Sequence, residues 1–176
     1  EKFLKDPAWN MTVSSDGLDP AGILKIMPMY AGLIPKEIAF AGPARFDVAS
    51  TGSAQLFDFK ADADLKRMHV AYVELFDKPQ DIPMSLACTG NMKGGIINAE
   101  FFHMILHQLT MNGSGQVDLS KKEPGISLQV QSQPIKLKGW DSIAPVVKPY
   151  ELDGTAELQA SVKGPLNDLA MNISAE

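Results

Sequence analysis

The stretch Tyr150-Glu151-Leu152-Asp153-Gly154-Thr155-Ala156-Glu157-Leu158-Gln159-Ala160-Ser161-Val162-Lys163 alternates from end to end. Tyr150, Leu152, Gly154, Ala156, Leu158, Ala160 and Val162 share one parity, and the intervening residues are polar or charged. Successive side chains of a strand point to opposite faces, so this pattern predicts a long strand with one dry side and one wet side. Gly164-Pro165 predicts a turn. Leu169, Met171, Ile173 and Ala175 then share a parity on a return strand.

The same order of elements occurs earlier in the chain. Pro7 to Ser15 lines up with Pro124 to Ser132, Gly22 with Gly139, and Ile26-Met27-Pro28 with Ile143-Ala144-Pro145. Phe40 to Phe46 then meets Leu152 to Leu158, Gly52 meets Gly164, Phe57 meets Leu169 and Phe59 meets Met171. Few residues are identical; what recurs is strand, short helix with a proline, long strand, glycine turn, strand. A weak repeat of this kind predicts a sheet assembled from similar modules, over residues 7–64 and 124–176. In the first copy Ile38, Phe40, Gly42, Ala44, Phe46 and Val48 form the long strand, and Phe57, Phe59, Ala61 and Ala63 return.

Between the copies the pattern predicts strands over 68–76, 82–89, 96–111, 115–119 and 125–132. Asn112-Gly113 is the strongest short hairpin signal. Two short helices are predicted. One follows the Asp19-Pro20 cap pair and covers about residues 20–31; the other covers 140–148. Each contains a proline, Pro28 or Pro145, which shortens it. Strands that alternate favour an antiparallel sheet, wet on one face, over a uniformly apolar parallel one. The expected fold is mainly β: a curved antiparallel sheet, a groove or half-barrel, carrying two short helices. With so few helices, the dry face must be closed by curling, by a second sheet, or by something outside the chain.

Composition narrows the function. The 176 residues carry a net charge of -5 with 45% hydrophobic residues, which fits a folded domain. Basic residues cluster no further than pairs such as Lys66-Arg67, which argues against nucleic acid as a partner. No apolar run reaches the ~18 residues of a membrane-crossing helix. The chain begins at Glu1 and ends within an alternating strand, which reads as a fragment of a longer chain. The single cysteine, Cys88, falls on a dry parity and reads as a small buried hydrophobe.

Little in the chain suggests catalysis. His103 and His107 have metal-ligand spacing on a helix, but on a strand they stand about 13 Å apart and read as structural. Acidic pairs such as Asp62/Asp64 and Asp16/Asp19 fall on wet faces or turns. Gly113-Ser114-Gly115 has no helix behind it to make a phosphate loop. The expectation is no enzyme, no metal and no cofactor.

The second half of the chain resembles a known family. Gly113-Ser-Gly-Gln-Val-Asp-Leu119, Ile126-Ser-Leu-Gln-Val-Gln-Ser132, Ile143 to Leu158, and Val162-Lys-Gly-Pro-Leu-Asn-Asp-Leu169 look like the AsmA-like proteins, which include TamB and related long proteins of Gram-negative bacteria. Residues 15–64 match more loosely. The resemblance implies one AsmA-like β domain over 1–176, in the periplasm, joined to neighbouring modules and held by an N-terminal inner-membrane anchor. It also implies a role in phospholipid transport or outer-membrane assembly, with a phospholipid or other acyl-chain ligand in an apolar groove. By parity and repeat, Phe40, Phe46, Leu152, Leu158, Leu169 and Met171 should share the lipid-facing side. The alternative is a β-sandwich or repeat module that packs its own apolar faces and binds another protein.

Overall fold

The computed structural model describes residues 7–20, 22, 37–121, 123–165 and 168–176. Its strands are β1 (Trp9–Leu18), β2 (Ile38–Ala41), β3 (Ala44–Gly52), β4 (Leu56–Asp64), β5 (His69–Tyr72), β6 (Phe76–Lys78) and β7 (Met84–Lys93). They continue as β8 (Ile96–Leu106), β9 (Leu109–Asp118), β10 (Gly125–Ser132), β11 (Ile135–Lys136), β12 (Thr155–Ala156), β13 (Leu158–Pro165) and β14 (Ala170–Ala175). The fold is mainly β. A nine-stranded sheet has the order β1-β3-β4-β7-β8-β9-β10-β13-β14, and every neighbouring pair in it is antiparallel.

The insertions between sheet strands leave from one end of the sheet. β2, β5 and β6 form a small three-stranded sheet, and β11 pairs with β12. Residues 65–83 and 133–157 therefore build a cap beside Ala44, Leu109, Ser132 and Leu158. The buried apolar residues among those described are Ala44, Met68, Leu109, Ile135 and Ile143, all at this end. The Asp77 amide donates to the Ile143 carbonyl at 2.8 Å, which ties the small sheet to the segment before β12. At the other end the chain reverses in turns, among them Gly94-Gly95 with φ of 58° and 83°. Two adjacent positive φ values suit the twist of a hairpin, and glycine adopts them without strain.

Several sequence expectations need correction. The strand expected from Tyr150 starts only at Thr155, because Tyr150 closes a 3₁₀ turn, Glu151 is left-handed at φ 46°, and Gly154 has φ 93°. The strand expected across Ile38–Val48 breaks at Gly42-Pro43, where Gly42 has φ 100° and Pro43 has no amide for the ladder. Its first part, β2, joins the small sheet. The strand expected over 68–76 is split into β5 and β6 by a turn with Val73 at φ 43°. Asn112-Gly113 lies within β9; the reversal is at His107-Gln108, with His107 at φ 54°. The helix expected over 140–148 is two 3₁₀ turns, Trp140–Ser142 and Pro145–Tyr150, the second interrupted by Pro149. In the helix expected over 20–31, Pro20 and Gly22 are helical and the remainder lies outside the described residues.

Candidate ligand-binding face

Residues directly opposite each other in an antiparallel ladder project to the same side. The registers can therefore be followed across the sheet. One row runs Val13, Val48, Ala61, Cys88, Phe102, Gly113, Val130, Ala160, Ile173 and crosses all nine strands without a polar residue. The adjacent parity gives Ser14, Asp47, Asp62, Ala87, His103, Asn112, Gln131, Gln159, Ser174 on the opposite side. The sheet thus has one apolar and one polar face. A bulge in β8 between Ala99 and Phe102 preserves this division, because it brings Ala99 and Ile97 to the apolar side with Phe102. At ~4.8 Å per strand the apolar face spans about 38 Å across the strands.

No charged side chain falls on the apolar parity of any paired strand in this sheet. Its polar side chains are Ser15, Ser50 and Ser132. The Ser50 hydroxyl accepts the Trp9 Nε1–H at 3.1 Å, and the Ser132 hydroxyl accepts the Leu158 amide at 2.8 Å. Both hydrogen bonds are made within the sheet, so neither hydroxyl needs a partner above the face. Trp9 and Phe57 are 5.7 Å apart between ring centroids, and Phe57 and Phe59 6.3 Å, making an aromatic corner. Burial raises the Cys88 thiol pKa, which keeps it protonated on this face.

Among the described elements no second sheet and no helix stacks across the face. The accessible surface of the chain is 12027 Å², whereas a compact monomer of 19.1 kDa exposes about 8400 Å². Met11, Val13, Met171 and Ile173, at the two edges of the face, are exposed.

No family model, curated protein or solved structure matches this chain.

The six residues expected on a shared side are divided by the structure. Phe46, Leu158 and Met171 lie on the apolar face, opposite Ala63, Ala175 and Val162. Phe40 is in the small sheet opposite Val70. Leu152 lies outside any strand, before β12, and Leu169 just precedes β14. Parity missed what the breaks at Gly42 and Gly154 do to it. The six also leave out the middle of the face, Leu86, Met104, Val117 and Leu128.

The structure separates the two histidines. His103 Nδ1 is 2.8 Å from Asn112 Oδ1, while His107 is in the turn, against the edge of Trp140. Among the described residues no group of His, Cys, Asp and Glu side chains could hold a metal ion. Asp62 pairs with Lys60, and Asp16 with Arg67 at 2.7 Å. A cavity of about 570 Å³ lies over Asn112, Gln129, Gln131, Gln159 and Asn172 on this face. Its polar lining is of uncharged amides and hydroxyls, with Val130, Ala160 and Ile173 also at its wall, so it offers hydrogen bonds and some apolar contact.

Among the described residues, one charged side chain is fully buried. Lys78 Nζ, in the cap, donates to the carbonyls of Lys66 (3.2 Å), Met68 (2.6 Å) and Pro79 (3.1 Å). Burial lowers its pKa from the ordinary lysine value, and Asp81 and Asp64 oppose that shift. The three contacts use all three N–H donors of an ammonium, which explains how the charge is accommodated.

Proposed function

We propose that this chain is a non-enzymatic β-groove domain that holds acyl chains against the apolar face of its sheet. The observation that carries this reading is the uninterrupted apolar row across nine strands, with no described element covering it. A face of that size is larger than the apolar patches that soluble monomers ordinarily leave in water. Each methylene buried there would contribute about 0.8 kcal/mol. The cap closes one end of the face, while the opposite end carries only short reversals.

The two-module reading belongs to the same proposal and draws support from the registers. Trp9 stands opposite Gly52, and their counterparts Ile126 and Gly164 stand opposite each other. Ser50 opposite Phe59 corresponds to Val162 opposite Met171. The resemblance to AsmA-like proteins extends the proposal to a periplasmic domain of an inner-membrane-anchored protein, acting in phospholipid transport or outer-membrane assembly.

The test is lipid copurification, read by mass spectrometry after solvent extraction. Leu128→Asp places a carboxylate on the apolar face between Gly115 and Val162. It should abolish bound lipid, while Gln129→Glu, one residue away on the polar face, should leave it unchanged. Circular dichroism establishes that both variants fold. A folded parent chain that carries no lipid, and takes none up from phosphatidylethanolamine–phosphatidylglycerol vesicles, would refute the acyl-binding reading and favour a protein-interaction module.

A further inference from the structure

We propose that the polar face of the sheet carries a binding site for an extended, neutral, β-1,4-linked glycan, in the cavity that crosses β9, β10, β13 and β14. Two rows of side chains border this cavity. The first is Asn112, Gln131, Gln159 and Ser174, each opposite the next across the ladder. The second is Ser114, Gln129, Ser161 and Asn172, in the same order of strands. The cavity, of about 570 Å³, runs between the rows along the ladder at Gly113, Val130, Ala160 and Ile173. It is a trench lying across the strands. Its bordering side chains repeat at the ~4.8 Å strand spacing, over about 14 Å in all.

The lining selects the class of ligand. All eight bordering side chains are amides or hydroxyls. A surface kept only for solubility carries about 25–35% charged residues. The β1, β3 and β4 half of the same face is of that kind: Asp47 pairs with Arg45, Asp62 with Lys60, and Asp16 with Arg67. Along β13 and the residue before it, the flanking charges Glu157 and Lys163 fall outside the two rows. Phosphate or carboxylate ligands call for cationic partners, and none borders the trench. Sugar hydroxyls both donate and accept, and one side-chain amide offers an acceptor and two donors to a neighbouring pair of them. Among the described residues the exposed amides of Gln129, Gln131, Gln159 and Asn172 bond no other side chain, which leaves those groups to a ligand. His103 Nδ1, 2.8 Å away, engages the oxygen of the Asn112 amide and leaves its N–H donors. On β8, Phe101 stacks on His103 at 6.1 Å and is exposed on the polar side, opposite Thr89. Its ring gives the C–H face of a sugar an apolar surface at the β8 end of the trench. A β-1,4-linked chain is straight and advances in equal steps, so it can follow equally spaced amides, whereas an α-1,4-linked chain coils away from them.

This site is on the face opposite the one proposed for acyl chains, so either reading can fail without the other. The test titrates the whole chain with cellohexaose and with chitohexaose and follows the side-chain amide signals by nitrogen–proton NMR. At least one of the two should shift the signals of Gln129, Gln131, Gln159 and Asn172 saturably, and leave those of Gln55 and Gln80, outside the trench, in place. Maltohexaose, which coils, and hexagalacturonate, which is charged, should bind at least tenfold more weakly. Gln131→Ala combined with Gln159→Ala should weaken binding at least tenfold, and Lys60→Ala, on the charged half, should not, with folding checked by circular dichroism. The proposal is overturned if neither β-1,4 hexamer gives saturable shifts, or if Gln55 and Gln80 shift as much as the trench amides. It is also overturned if the folded double variant binds like the parent, or if hexagalacturonate binds as tightly, which would assign the trench to an anion.

Discussion

Replacing Lys78 by methionine keeps most of the aliphatic stem and removes only the ammonium, so its effect isolates the polar contacts of the cap. Lys78 is fully buried, and its Nζ bonds the carbonyls of Lys66, Met68 and Pro79. The Lys66 carbonyl also accepts the Asp81 amide at 2.9 Å and would stay satisfied. The Met68 carbonyl would lose its donor in a buried bond, whereas Pro79 is exposed and its carbonyl can be taken up by water. A buried acceptor left unpaired costs about 1–3 kcal/mol. Removal of the buried ammonium returns part of this, because its desolvation no longer has to be met. The net expectation is a loss of about 1.5 kcal/mol. With a urea slope of about 2 kcal/mol per molar, the midpoint should fall by about 0.75 M at unchanged slope. The sign of the pH dependence follows from the lowered lysine pKa. Between that value and 10.5 the unfolded chain binds more protons than the folded one, so stability rises with pH across this window. Lys78→Met should lack that rise. Urea unfolding at a series of pH values measures both effects. A midpoint within 0.3 M of the parent, roughly 0.6 kcal/mol by the same slope, would refute the account of the carbonyl cage.

Asp118 should titrate near pH 2, held down first by the Lys121 side chain and then by Ser120. Carbon-detected NMR should show this, and Lys121→Ala should raise the value toward that of an ordinary aspartate; its stabilising effect is present above 3.8 and is lost as pH falls through about 2. Gly90→Ala should cost about 2 kcal/mol or more in thermal or urea unfolding, because the new Cβ meets the Asn98 backbone and the Phe59 ring. Bound lipid should shift the fluorescence of Trp9, which stands beside Phe57, and Trp9→Phe should remove that shift while the Trp140 signal remains. An unshifted spectrum in a chain shown to carry lipid would mean the ligand lies away from the β1 edge.

Strands were easiest to read where alternation ran between unambiguous turns. Residues 84–89 of the expected 82–89, Gly125–Ser132 and the part of Tyr150–Lys163 after Leu158 are strands of the large sheet, the first running on to Lys93. The failures have a common form: a local signal was outweighed by what stood across the ladder. Asn112-Gly113 is a strong hairpin dipeptide, yet Gly113 lies between Phe102 and Val130, where an added Cβ would strike the Gln129 carbonyl. Its missing side chain serves strand packing there, and the reversal falls at His107-Gln108, which carries no such signal. Phe40 and Leu152 kept the correct parity on paper. Positive φ at Gly42 and Gly154 turned their segments off the large sheet.

The sequence by itself determined that this is a β protein with one wet and one dry face. Parity depends only on successive side chains alternating along an extended chain, and that is a local property. Only the tertiary structure decided which alternating segments share one sheet, that the insertions gather at one end as a cap, and that Lys78 is buried there. Those outcomes depend on contacts between residues distant in sequence, such as Val13 with Val48 or the Lys78 ammonium with the Met68 carbonyl. A strand's own residues state which side is dry; the partner across the ladder determines where that side faces.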